Sequence, residues 1–148
     1  MAAGAATYAA ALAAAIGAGR LVAGTQWAAD APQPLKALVV VVAADLAATA
    51  LVFVASMLLD NSSMYDPYWS LKPLAIAAYY VWLRAADAAT SSLDAREILV
   101  VALVALYSIR LTSNFYRDWP GLMKEDFRYV SFRRRFGHLY WPVSFFGI

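Results

Sequence analysis

The sequence predicts an all-α integral membrane protein with four transmembrane helices, the start of a fifth and a short amphipathic cytoplasmic helix. Hydrophobic residues make up 63% of the 148 residues and charged residues only 15%, whereas soluble domains carry about 45–50% and about 25%. The apolar residues form runs near the length of about 20 residues that a spanning helix needs. The basic residues instead concentrate in one segment near the C-terminal end.

The apolar runs predict spans at residues 2–24, 37–59, 65–83 and 98–112, with an incomplete fifth at 139–148. The first run reaches residue 24 if Arg20 extends to the interface. The second is the clearest, because only Asp45 interrupts it. The third is the weakest, because it depends on the aromatic stretch at 65–69. Ten helical residues rise only about 15 Å, so we expect residues 1–148 to be a single membrane domain that forms the N-terminal part of a longer one.

The distribution of basic residues predicts the orientation in the membrane. Six of the twelve Lys and Arg residues lie within residues 114–138, so the positive-inside rule predicts that this loop is cytoplasmic. Counting back through four spans places the N-terminus and the Asn61 loop on the same side. The loops at 26–36 and 84–97 then face outward. A bacterial inner membrane and the endoplasmic reticulum both fit the composition.

Several classes of function are excluded or disfavoured by composition. The chain has no Cys and one His, so disulfides, thiolate sites and a multi-histidine metal site are excluded, and we expect no metal. A net charge of +2 argues against a nucleic-acid partner. The expected partner is membrane lipid, and the sequence does not indicate an oligomeric state.

Asp45 is the one acidic residue deep within a predicted span. Acids inside membranes are costly, and they are usually paired or functional. One interpretation is a structural ion pair with Arg20, which lies near the same outer level of the first span. The other is a proton-relay site, which would suit a small proton-coupled transporter.

The segment at residues 60–70 is dense in side chains that form hydrogen bonds. Pro67 is expected to hold Asp66 out of helical geometry, so that Asp66 caps the next helix and Pro67 occupies its first position. The alternative is that Tyr65, Asp66 and Tyr68 line a pocket at the cytoplasmic edge of the bilayer. A tyrosine there could act as a proton donor.

Aromatic residues and arginines alternate from Tyr107 onward. Arg110 and Asn114 share a helix face, and residues 119–121 predict a turn that begins a short helix with Glu125 and Asp126 in its first turn. Phe132, Phe136 and Tyr140 are expected to form one amphipathic stripe. Such a region suits anionic lipid head groups or a site for a flat anionic ligand.

Four motifs together resemble the DUF1295 membrane proteins, which are relatives of steroid 5-alpha-reductases and sterol reductases. The motifs are NSSMYDPYWS at 61–70, IRLT at 109–112 with Asn114, RDWPGL at 117–122 and EDFRY at 125–129. The resemblance covers most of residues 60–148. Phe127 departs from it, because the family commonly has Trp there.

The resemblance implies an NADPH-dependent reductase of carbon–carbon double bonds in a lipid-like or steroid-like substrate. The protein would orient the nicotinamide against the alkene in a dry cavity. The implied catalytic residues are Tyr65, Tyr68 and Asp66, and the implied cofactor-binding residues are Arg110, Asn114, Arg117, Glu125, Asp126, Arg128 and Tyr129. The arginines would meet cofactor phosphates, and Tyr65 or Tyr68 would donate a proton.

The family's main cofactor-binding segment lies in its C-terminal half, so oxidoreductase activity is expected only where that half is supplied. Two alternatives therefore stay open beside the transporter. One is a non-catalytic membrane fragment. The other is a relative of the isoprenylcysteine-type membrane methyltransferases, which share the architecture and use S-adenosylmethionine.

Overall fold

A computed structural model describes residues 2–86, 92–118 and 124–147, and all regular structure in these ranges is helical. Short 3₁₀ turns at Ser62–Met64 and Gly137–Leu139 precede the fourth and seventh helices. The α-helices are α1 (Ala2–Ala23), α2 (Gln26–Asp30), α3 (Gln33–Leu58), α4 (Tyr65–Ala86), α5 (Ala95–Asp118), α6 (Phe127–Phe136) and α7 (Tyr140–Gly147). The all-α class is confirmed.

Among the described residues, three helices are long and apolar enough to cross a membrane: Gly4–Ala23, Gln33–Leu58 and Ala95–Arg117. The predicted count of four spans and the start of a fifth is not confirmed. The α4 helix has 22 residues but contains charged side chains and an internal Pro73, and α7 has only 8 residues. The α5 helix continues past the predicted end at residue 112 to Asp118.

Helices α1 and α3 pack against each other, and small residues allow a close approach. A Cβ atom on Gly19 would lie 3.4 Å from the Val40 side chain and 3.8 Å from Ala44. Small side chains let membrane helices approach in this way. The two helices are joined through α2, where Thr25 accepts a hydrogen bond from the Ala28 N–H at 3.3 Å.

The turn between α3 and α4 differs from the prediction. Asp60 follows the end of α3 with a φ of 47°, and the Asn61 side chain caps the 3₁₀ turn by accepting from the Ser63 N–H at 2.9 Å. The α4 helix begins at Tyr65, so Asp66 is helical and is not the cap. Pro67 lies in the first turn, where its missing N–H needs no helical partner.

Helices α4 and α5 are joined at both ends. The Ser70 and Thr112 hydroxyls lie 2.7 Å apart near the α4 start, and Arg84 lies 2.8 Å from Glu97 near its end. Asp94 and Glu97 also form a capping box, because each side chain accepts a hydrogen bond from the other's backbone N–H. This box explains why α5 begins at Ala95.

Helix α6 begins at Phe127, and Asp126 is its N-cap with a 2.9 Å hydrogen bond from the Arg128 N–H. Glu125 and Asp126 therefore precede the helix, which corrects the prediction that they form its first turn. The predicted turn at 119–121 lies outside the described residues. The expected continuous aromatic stripe is also wrong: Gly137 ends α6 with a φ of 51°, and Tyr140 then lies buried in α7.

Candidate functional site

Polar side chains from the α3–α4 turn and the start of α4 meet the segment that leads into α6 and α7. We call this set the interface cluster. It consists of Asp60, Ser62, Ser63, Asp66, Glu125, Asp126, Arg128, Tyr129, Arg133 and Tyr140. The tertiary fold brings together residues about 60 positions apart in sequence, including Asp66 and four of the predicted cofactor-binding residues.

Asp66 lies at one end of the interface cluster. It accepts a hydrogen bond from the Tyr129 hydroxyl at 2.9 Å, and Arg128 Nη2 lies 3.3 Å from the same oxygen. Arg128 Nε also donates to Asp126 at 2.8 Å. The Asp126 backbone N–H donates to Ser63 Oγ at 2.8 Å. Arg128 is therefore paired with the carboxylates of both Asp66 and Asp126.

Glu125 and Arg133 lie at the other end of the interface cluster. Glu125 accepts from the Ser62 N–H and from Arg133 Nε, both at 2.7 Å. Arg133 also donates to Asp60 at 2.7 Å, and its guanidinium lies 4.5 Å from the ring centre of Tyr140. The Tyr140 hydroxyl in turn lies 2.6 Å from Ser62 Oγ. Arg133, like Arg128, is matched by two carboxylates.

Burial and charge pairing set the pKa values in this cluster. Burial, reinforced by the Asp66 carboxylate, raises the pKa of Tyr129 above its ordinary value and keeps the phenol neutral. Burial also acts to raise the pKa of Asp126, but hydrogen bonds from Arg128 outweigh it, and the net pKa is lowered. Burial acts to lower the pKa of Arg133, but Glu125 outweighs it and raises that pKa.

A separate groove of about 840 Å³ lies among α1, α3 and α4. Its volume is within the range of small-molecule sites, which is about 300–1,000 Å³. The lining is mainly small or apolar, with Ala11, Ala15, Ala44, Ala48 and Ala75 among its residues. Polar side chains enter it from each of the three helices.

The central polar group of the groove consists of Asp45, Lys72 and Tyr68. Lys72 Nζ lies 2.9 Å from Asp45 Oδ1, and the Tyr68 hydroxyl donates to the same oxygen at 3.1 Å. The Tyr68 hydroxyl also lies 2.9 Å from Thr49 Oγ1. The predicted Arg20–Asp45 pair is therefore wrong. Arg20 follows Gly19, which lies beside Val40, whereas Lys72 reaches Asp45 from α4.

The other predicted catalytic tyrosine, Tyr65, does not line this groove. It is buried in an apolar core with Met64 and Val52. The tyrosine three residues on, Tyr68, reaches the groove because it lies about one helical turn further along α4. Tyr65 and Tyr68 both belong to this buried core, but of the two only Tyr68 also lines the groove, and Asp66 lies in the interface cluster.

The remaining predicted cofactor-binding residues lie along the last turns of α5. The Arg117 guanidinium donates to the Asn114 side chain. The side chains of Arg110 and Arg117 are both exposed. Spacings of three and four residues place Arg110, Asn114 and Arg117 on one face. No described residue forms an ion pair with Arg110 or Arg117.

Sequence reasoning missed Lys72 and Arg133 as members of these sites. Lys72 is the only basic residue between residues 60 and 83, and it lies four positions after Tyr68, on the same helix face. That spacing was a usable signal. Arg133 gave no local signal, because its partners Asp60 and Glu125 become neighbours only through the tertiary fold.

The family model described as a protein of unknown function, DUF1295, matches residues 52–148. No curated protein and no solved structure matches the chain. The matched region contains the whole interface cluster as well as Tyr68 and Lys72 of the groove. The chain belongs to the DUF1295 family.

Proposed function

We propose that the chain forms the substrate-binding membrane part of an NADPH-dependent reductase that acts on a carbon–carbon double bond in a lipid-like molecule. The observation that carries the proposal is the position of the Tyr68 hydroxyl, on the wall of an apolar groove and hydrogen-bonded to Asp45. Membership of the DUF1295 family and three apolar helices support a membrane setting for this chemistry.

Tyr68 is suited to donate a proton to a bound alkene. Its hydroxyl donates to Asp45 and lies 2.9 Å from the Thr49 hydroxyl, and its ring lies beside the Lys72 ammonium. General acids of this type contribute about 10²- to 10⁴-fold to a rate. Asp45 would orient the hydroxyl, and the neighbouring Lys72 ammonium would stabilise the tyrosinate left after proton transfer.

The reaction balances with one proton and one hydride. Reduced nicotinamide would supply the hydride to one alkene carbon, and the other carbon would take the Tyr68 proton. Two C–H bonds form, the π bond is lost, and the cofactor leaves oxidised. Tyr68 would then recover its proton from water through the open side of the groove.

The described residues fit the cofactor only in part. Phosphate groups need cations that are not already matched, and within the described ranges Arg110 and Arg117 on α5 form no ion pair. Arg128 faces Asp66 and Asp126, and the Tyr129 hydroxyl donates to Asp66. Glu125 likewise binds the Ser62 N–H and Arg133. We therefore propose that Arg110, Asn114 and Arg117 hold cofactor phosphates and that the interface cluster positions the helices.

The proposal is tested with membranes that contain the protein as its gene encodes it. NADPH carrying deuterium at the transferable position is added with a panel of unsaturated lipids, namely oleate, retinal and a 4-ene-3-ketosteroid. Deuterium in the reduced product supports the proposal. Tyr68→Phe is expected to lower the rate about 10²-fold or more.

Tyr80→Phe is the matched control, because Tyr80 lies on the same helix but is exposed and does not line the groove. Its rate is expected to stay at the wild-type level. A Tyr68→Phe variant as active as Tyr80→Phe would overturn the assigned role of Tyr68. Absence of label from every product in the panel would overturn the reductase proposal.

A further inference from the structure

The groove among α1, α3 and α4 carries an excess positive charge at one end. Its lining includes two cations, Arg20 and Lys72, and one acid, Asp45. Lys72 is matched by Asp45 at 2.9 Å. Arg20 is exposed near the end of α1 and forms no ion pair with any residue that the structure describes.

The polar group of Asp45, Lys72 and Tyr68 lies at a different position along the groove from Arg20. Gly19 lies beside Val40, which places Arg20 about five residues along α3 from Asp45. At 1.5 Å per residue this is about 8 Å along the helix axis, before the Arg20 side chain extends further. Tyr8 and Arg20, both of which line the groove, are separated by about 18 Å along α1.

The groove walls between Tyr8 and Arg20 are suited to an apolar chain. Leu12, Ile16, Leu71 and Ile76 line the groove beside its alanines, and the first three are exposed at their surfaces. Trp82 and Tyr79 line the same groove and stack at 6.0 Å. Trp and Tyr rings favour the depth at which lipid head groups begin.

We propose that this groove binds a single-chain amphiphile with an anionic head group, and that the head group pairs with Arg20 while the chain runs past Tyr68. A charged donor that is already matched binds an added anion poorly, which is why the head group selects Arg20 over Lys72. The proposal deepens the proposed function: if the reductase assignment holds, the reduced double bond lies within the chain and not beside the head group.

Binding is measured without cofactor or turnover, using radiolabelled oleate and the purified protein in a neutral maltoside detergent at pH 8. Arg20→Gln is expected to weaken oleate binding about fivefold, as for a partly exposed ion pair. Arg20→Lys is expected to retain most of the affinity. Oleyl alcohol, which has the same chain and no charge, is expected to bind both Arg20 variants as it binds wild type.

Two further variants separate the head group from the chain. Ala75→Phe fills the groove from α4 at an exposed position, so it is expected to weaken oleate and oleyl alcohol alike. Arg96→Gln removes an exposed cation that does not line this groove, and it is expected to change neither. Sodium acetate at the concentration of the oleate is not expected to compete, because it has no chain.

Three results would overturn the proposal: no oleate binding to wild type, equal oleate affinity in Arg20→Gln and Arg96→Gln, or equal loss of oleate and oleyl alcohol in Arg20→Gln. The reductase proposal can fail while oleate binding follows the expected pattern, because no cofactor is present in this assay. Oleate binding can equally fail while deuterium transfer to another lipid succeeds. The two failures are therefore distinguishable.

Discussion

The guanidinium of Arg133 donates two hydrogen bonds to the carboxylate of Glu125, from Nε to Oε2 at 2.7 Å and from Nη2 to Oε1 at 3.1 Å. This pair joins α6 to the segment that precedes it. The Ser62 N–H donates to the same carboxylate, and this bond joins α6 and the segment before it to the α3–α4 turn. Bidentate pairs of this kind fix geometry as well as supplying energy.

Glu125→Gln is expected to destabilise the protein by about 1–3 kcal/mol, because it removes the more buried of the two carboxylates that the partly buried Arg133 faces and leaves only Asp60. The amide oxygen can still accept from the Ser62 N–H, so the loss reports mainly on the ion pair. Thermal unfolding in detergent, followed by helical circular dichroism, measures the effect. Arg134→Gln changes an exposed neighbour and is expected to leave the midpoint unchanged; equal midpoints for the two variants would contradict the prediction.

Lys72→Met and Asp45→Asn are each expected to lower stability, because each leaves one charge of a half-buried pair unmatched. The double variant is expected to be more stable than the sum of the two single losses implies, with a coupling of about 0.5–3 kcal/mol. The thermal unfolding midpoints of all four proteins form the cycle. Strict additivity would show that the two groups do not interact.

The lowered pKa of Asp126 predicts that the stability of the folded protein depends on pH. Its pKa is lowered in the folded protein, so its contribution is present at neutral pH and is lost as the pH falls through the folded-state value, below about 4. Asp126→Asn keeps an N-cap but lacks the charge. The difference in unfolding midpoint between wild type and variant is expected to be constant from pH 7 to 5 and to shrink below pH 4. A difference that does not shrink as the pH falls below 4 would refute the assignment.

Gly137→Ala is expected to destabilise the junction between α6 and α7 by about 1–2 kcal/mol, because Gly137 has a φ of 51° and a Cβ there is strained. Thermal unfolding again provides the measurement. Gly17→Ala is the matched control, because it lies inside α1 with no atom within 4 Å of the added Cβ. A loss at Gly17 as large as that at Gly137 would show that the effect is not conformational.

Local patterns predicted the helices better than they predicted the sites. Hydropathy identified α1, α3 and the apolar part of α5, because an uncharged run has few alternatives to a membrane helix. It also proposed α4 as a span, although this helix contains Asp66, Lys72, Pro73 and Arg84. The N-cap of α4 was predicted wrongly because a 3₁₀ turn capped by Asn61 precedes it, and a turn of that kind leaves little trace in sequence.

The candidate sites show the same difference between what local sequence patterns predict and what tertiary contacts decide. Tyr68 and Asp66 were both identified in the motif at residues 61–70, but their side chains lie in different environments. Residues two apart on a helix point about 200° apart. Lys72 was missed as the partner of Asp45, since that pairing depends on how α4 lies against α3. Arg20, expected to pair with Asp45, instead lines one end of the groove and forms no ion pair with the part of the chain that the structure describes.

By itself, the sequence determined that the chain is helical and apolar and carries the DUF1295 motifs, because composition and short spacings are local properties. Only the tertiary structure decided which charges meet: Arg133 with Glu125 and Asp60, Arg128 with Asp66, and Lys72 with Asp45. Ion pairs between helices depend on the register and rotation of each helix, and no local stretch of residues specifies these.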